Sequence, residues 1–210
     1  LFTLLYPEVS ERVTQSILNA YDESGFMPEW ASPGHWECMI GNNSISLLTD
    51  AWMKGIRTIC PEKALEAMIH QTEARHPGIS SVGRDGFGYY DRLGYVPYPE
   101  VHEATAKTLE YAYADWCVAR FADSIGRKEI ADTYYRKALN YRNLYYPDYG
   151  FMWAKDANGK WRDAFDATEW GGPFTEGSSW HWTWSVLHDP EGLSRLMGGH
   201  TAMEARLDSM

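Results

Sequence analysis

The sequence predicts an all-α fold, a toroid of helical hairpins with its long loops gathered at one end. Three observations carry this. Apolar residues recur every three to four positions in successive segments. Glycine- and proline-rich stretches interrupt those segments. The interruptions alternate long and short, so the long ones fall at the same end of the stacked hairpins. A helical solenoid would alternate similarly, but no repeat period of roughly 30–50 residues is visible.

The first helix is expected from about Glu8 to Asp22, with Val9, Val13, Ile17 and Ala20 or Tyr21 on one stripe. It ends before Gly25, which suits a left-handed C-terminal residue. A long loop carrying Trp30, His35, Trp36 and Glu37 follows. The second helix, Asn42 to Gly55, is apolar at Ile45, Leu48, Ala51 and Trp52. Pro61 starts the third, which runs to about Arg75. The stretch HPGISSVGRDGFGYYDRLGYVPYPEV reads as irregular throughout, and loops of that length are usually functional. A strong helix is expected from His102 to about Ser124 and another from Glu129 to about Leu144. A hairpin-like excursion turns at Asn158-Gly159. The acid- and tryptophan-rich stretch Asp163 to Asp189 then leads into a helix from Glu176 to Leu187. Short helices at Glu191 to Met197 and Thr201 to Met210 complete the pattern.

Composition narrows the ligand. Aromatic residues make up 15%, with 10 Trp and 14 Tyr, more than core packing calls for, because buried indole N–H groups need partners. A stacking surface for sugars or bases would use them. The formal charge of −10, from 19 basic against 29 acidic residues, excludes nucleic acid as the expected partner. It also disfavours an anionic membrane surface. Neutral sugars remain. No apolar run approaches the roughly 20 residues of a membrane span. Cys38, Cys60 and Cys117 form no ligand ladder and no even disulfide set, so no metal site is expected from them. Cys38 and Cys117 read as small core residues.

Glycoside hydrolysis needs two carboxyl groups flanking the anomeric centre. At the long-loop end the candidates are Glu37, Asp85, Asp91, Glu100, Glu103, Asp163, Asp166, Glu169 and Glu176. Glu176 stands out because it opens a helix, with Gly177 leaving room for a ligand and Trp180 one turn on, able to desolvate the carboxyl. The same position also reads as ordinary capping, with Thr175 as cap and an acid in the first turn. Glu103 and Glu110 share a helix face, Glu110 lying about 10 Å deeper. Either could instead pair with a buried arginine or a helix end. His35, Trp30, Glu37, Glu103, Trp170 and Trp180 are the candidate substrate contacts. Trp180, with Trp184, reads more readily as core than as sugar platform, and Trp30 and Trp170, in loops, are the better platforms. His181 and His188 lack the four-residue spacing of a zinc pair. Asn42-Asn43-Ser44 matches a glycosylation sequon but begins a buried helix.

The segments EWASPGHWECMIGNNSISLLTDAWMKGIR, LGYVPY, TLEYAYADWCVARFA and WGGPFTEGSSWHWTWSVLHDPEGLSRLMGG resemble glycoside hydrolase family 92, the calcium-dependent exo-acting α-mannosidases. The similarity runs over nearly the whole chain. It implies an inverting single displacement on mannose-containing glycans, with Glu176 as catalytic acid and calcium on the mannose hydroxyls. It implies a partial (α/α)6 catalytic domain, with an N-terminal β-sandwich and the C-terminal part of the toroid outside this chain. The base carboxylate and most calcium ligands would lie there too. It also implies a bacterial enzyme, secreted or periplasmic. Two departures leave linkage preference open: Ala114-Asp115 where the family often has paired acids, and Ser178-Ser179 where it often has Asn-Ala. Two other readings stand beside the enzyme: a non-catalytic carbohydrate-binding module, and a structural helical repeat.

Overall fold

The computed structural model describes residues 2–31, 34–36, 38–79 and 82–209. It is predominantly helical, as the sequence predicts. In chain order the helices are α1 (Phe2–Leu5), α2 (Pro7–Ser24), α3 (Asn43–Met53), α4 (Pro61–Glu73), α5 (Phe87–Leu93), α6 (Ala104–Ser124) and α7 (Lys128–Lys137). A 3₁₀ turn (Asn140–Leu144) leads into the two-stranded ribbon β1 (Tyr145–Tyr146) and β2 (Phe151–Met152), then α8 (Ser179–Trp182), α9 (Pro190–Met197) and α10 (His200–Asp208). The chain divides into two compact units, Leu1–Phe87 with Ala114–Ala138, and Gly88–Tyr113 with Leu139–Met210.

In the first unit α2 packs on α3 and α4. Proline sits in the first turn of both α2 and α4, where a missing N–H costs nothing. The core gathers Ile17, Leu18, Met27, Ile45, Leu48, Leu65 and Met68 with Val118 and Phe121 from the second half of α6. Trp52 packs on Phe121 and donates its indole N–H to Ser124 Oγ at 2.9 Å.

In the second unit, one cluster joins Leu109 and Ala112 of α6 to Leu144, Met152, Val186 and Leu193. Another joins Ala104 and Tyr111 to Tyr90, Val96 and Val101. Tyr95 and Asn143 tie the loops together through the carbonyls of Asp156 and Gly94, at 2.8 and 2.9 Å.

Three expectations need correction. The stretch after His76 contains a helix, α5. Gly86 and Gly94 bracket it and Gly88 lies within it: Gly94, at φ +74°, donates to Tyr90 O at 3.0 Å, a left-handed termination only glycine adopts without strain. The helix expected from Glu176 to Leu187 shrinks to the four residues of α8. Ser179 Oγ donates to Met152 O and Thr183 Oγ1 accepts from Met152 N–H, both at 2.9 Å, so this segment finishes the edge of β2 instead of continuing as a helix. The helix expected to reach Leu144 ends at Lys137. The excursion at Asn158-Gly159 does turn, with Asp156 Oδ1 accepting from the Asn158 and Lys160 N–H groups at 2.9 Å, but only a single bridge, Lys155 with Trp161, closes it.

Candidate active site

The second unit carries Glu103, Trp170, Glu176 and Trp180. Gly171 N–H donates to Gly177 O at 2.8 Å and Phe174 N–H to Gly171 O at 3.1 Å, so residues 171–177 close into a tight loop. Phe174 is its buried anchor. The loop supplies the cap of α6, which has unsatisfied N–H groups in its first turn. Pro173 O accepts from Thr105 and Ala106 at 3.0 and 3.2 Å, and Gly172 O accepts from Glu103 at 3.1 Å. Trp182 clamps the far side, donating its indole N–H to Thr175 O at 2.8 Å.

Glu176 sits on this frame, exposed to solvent, at φ +44°. Glu103, whose N–H holds the loop, is also left-handed at φ +56°. Such geometry is uncommon outside glycine and costs on the order of 1–3 kcal/mol, so surrounding contacts must impose it. Glu176 therefore does not open a helix. Ser178 is the residue before α8, and His181 Nδ1 accepts from its backbone N–H at 3.2 Å. Trp170, 64% exposed, meets the His181 ring edge-on at 5.5 Å. The loop closure thus brings Trp170, Glu176 and His181 to one place. Trp180 turns elsewhere: its ring packs on Phe151 at 4.7 Å and under the Arg206 guanidinium at 5.9 Å. The indole against the Glu176 loop is that of Trp182, and Gly177 makes room for it.

The neighbouring acids are engaged. Glu169 accepts two bonds from Arg162 at 2.8 Å, Asp163 pairs with Lys160 at 2.9 Å, and Asp166 accepts from Thr168. Glu110, half-buried on α6, is pushed up to about 7 by burial. The expected partner, a buried arginine or a helix end, is absent among the described residues.

In the first unit, Trp30 is half exposed and His35 packs against α2. His35 Nε2 lies 2.7 Å from Ser24 Oγ, and its ring is 5.7 Å from His76. Burial, and then the neighbouring His76, lower its pKa. Glu37 lies outside the described residues.

Sequence reasoning missed a polar network here. Glu29 accepts from Asn42 Nδ2 at 3.2 Å, from the Asn43 N–H at 2.7 Å and from Gln71 Nε2. Asn42 also accepts from Arg84 Nε at 2.8 Å, and Arg84 pairs with Asp115 at 2.8 Å in full burial. At 2% exposure Asn42 is a structural hub, which closes the sequon. Burial raises Glu29 to about 7 against the pull of these donors and of Arg84.

The whole chain, residues 1–210, matches the glycosyl hydrolase family 92 catalytic domain. The chain belongs to glycosyl hydrolase family 92. A family 92 inverting mannosidase from Bacteroides thetaiotaomicron superposes with a TM-score of 0.98 at 82% identity, over 100% of this chain and 28% of that one. A family 92 α-mannosidase from the same organism gives 0.90 at 32% identity, over 99% and 27%. A secreted glycosidase, otherwise uncharacterised, from Arthroderma benhamiae is 26% identical over 91% of this chain and 29% of its own length. The chain therefore spans under a third of the length of each of these relatives. Among the described residues no helix is long and apolar enough to cross a membrane.

Proposed function

We propose that this chain forms the proton-donor segment of an exo-acting, inverting α-mannosidase, lying in the middle of an (α/α)6 toroid. The β-sandwich and the rest of the toroid belong to the longer protein in this reading. The carrying observation is Glu176: an exposed carboxyl in a strained backbone, on a loop fixed to α6 by three hydrogen bonds and to Trp182 by a fourth. Mannosidase neighbours support the substrate class, and one of them has been solved with mannoimidazole. Such enzymes make the alternative, a binding module without catalysis, the weaker reading.

In this reading the Glu176 carboxyl gives its proton to the departing glycosidic oxygen as the bond to the anomeric carbon breaks. Water attacks that carbon from the opposite face and loses its proton to a second carboxylate, supplied from outside this chain. Inversion sets the two carboxyls roughly 6.5–9.5 Å apart. Trp170 offers an exposed face for the sugar, and Trp30, His35, Glu37, Glu103 and Trp180 remain candidate contacts in the proposal. Among the described residues no three His, Cys, Asp or Glu side chains converge to hold a metal ion, so these side chains do not make a calcium site by themselves. Calcium is proposed for the longer protein, with its ligands mostly outside this chain. Secretion or export to a periplasm is proposed from the secreted relative.

Glu176→Gln in the full-length protein tests the assignment. Turnover of mannosides with poor leaving groups should fall about 10²- to 10⁴-fold, with a smaller loss on activated aryl mannosides. Near-unchanged turnover on the poor leaving groups sinks the assignment. Chelation should abolish activity and added calcium restore it.

A further inference from the structure

Residues 145–165 carry an aromatic corner that the Glu176 loop does not use. Tyr146 stacks on Trp161 with centroids 4.4 Å apart and planes 4° from parallel. Tyr149 stacks on Phe165 at 4.1 Å and 18°. The two stacks meet nearly at right angles, Tyr146 to Tyr149 being 77°. A cavity of about 430 Å³ opens in this corner, with Lys160, Arg162 and Asp163 completing its wall. A second cavity, about 320 Å³, shares Tyr149 and continues past Asp148 to Met197 and Arg206. Both volumes fall in the range of roughly 300–1,000 Å³ of small-molecule sites. Ala164, in the wall of the first, is held at φ +57°, a conformation alanine rarely takes.

Within this chain Tyr149 is 46% exposed. The charges around it cancel locally. Lys160 pairs with Asp163 and Arg162 with Glu169, so the rim offers hydrogen-bonding groups of both signs and no net field for an anion. Aromatic faces with a balanced polar rim suit the C–H faces and hydroxyls of a sugar. Two cavities meeting at one ring suit a chain of sugars better than a single one.

We propose that Tyr149 is the central platform of a second carbohydrate site, which holds a neutral oligosaccharide across the two cavities. Neither cavity is lined by Glu103, Trp170 or Glu176. The site would retain a glycan beside the cleaving loop, and it rests on the reading of the protein as acting on mannose-containing glycans.

Titration calorimetry of the full-length Glu176→Gln protein with linear α-mannotetraose tests it. Two classes of site are expected. Adding Tyr149→Ala should weaken one class about tenfold, along with some loss of thermal stability from the missing Phe165 stack. Adding Asp163→Ala instead, at an exposed rim position, should weaken the same class about threefold. A single class unchanged by both variants overturns the second site and leaves the mannosidase reading standing. No binding of any kind overturns both.

Discussion

The Trp182 indole donates to the Thr175 carbonyl at 2.8 Å and lies close against Gly177, so the residue after the proposed acid is a socket for a tryptophan. A methyl group on Gly177 would sit 3.1 Å from Trp182 Nε1 and 3.3 Å from His181 Cβ. Gly177→Ala should therefore cost about 1–3 kcal/mol through overpacking. It should also lower kcat on mannosides, because the contact presses on the residue next to Glu176. Thermal unfolding and steady-state kinetics on the same variant check both, and a variant normal in both measures would remove the clamp from the account.

Arg84 and Asp115 form the most deeply buried ion pair of the first unit, at 2.8 Å. Losing one partner leaves the other's charge buried without its 2.8 Å counter-ion. Arg84→Ala should cost about 3–5 kcal/mol. The double variant Arg84→Met with Asp115→Leu should be less destabilised than Arg84→Ala alone, since it does not leave Asp115 buried without Arg84. Urea midpoints decide, and simple additivity of the single changes would contradict the pairing.

Glu29 gives stability a pH dependence of definite sign. Its carboxyl titrates near 4.5 when unperturbed and at about 7 in the folded chain, because burial disfavours the charge. Folding therefore favours the protonated form, and this contribution is complete below about pH 4.5 and lost as pH rises through 7. The group alone should remove about 3 kcal/mol between pH 4.5 and 8. Glu110, raised for the same reason, acts in the same direction. Glu29→Gln should be less stable at pH 5, since one of the two acceptor oxygens becomes an NH2 facing the N–H donors of Asn42, Asn43 and Gln71, yet show a flatter stability profile. An unchanged slope in that variant would mean that Glu29 does not titrate in this range.

Helix positions were legible because apolar spacing and proline starts are local signals, and α2, α4, α6 and α9 follow them closely. The brevity of α8 was not legible. It depends on Ser179 and Thr183 reaching the two backbone groups of Met152, a partner nearly thirty residues away. Glu176 could be picked out as an acid among glycine and tryptophan. Its left-handed backbone and exposure could not, because they follow from the way Pro173 and Gly172 cap α6. Glu29, Asn42, Arg84 and Asp115 come from four separate segments, so no spacing in the chain announces their network.

The backbone of Glu176 separates capping from catalysis. A left-handed conformation costs a residue with a Cβ roughly 1–2 kcal/mol, and glycine nothing. If the loop contacts impose φ +44° whatever the side chain, Glu176→Gly should be more stable than Glu176→Ala by about 1 kcal/mol. Both variants should lose turnover alike, since neither has a proton to give. A role confined to shaping the loop makes the opposite forecast, because glycine would then restore activity along with stability. Equal stability of the two variants would mean that the loop relaxes once the carboxyl is gone, and that the strain belongs to the side chain's own contacts. Measuring unfolding free energy and kcat for the pair, with wild type beside them, places Glu176 in one of these three cases.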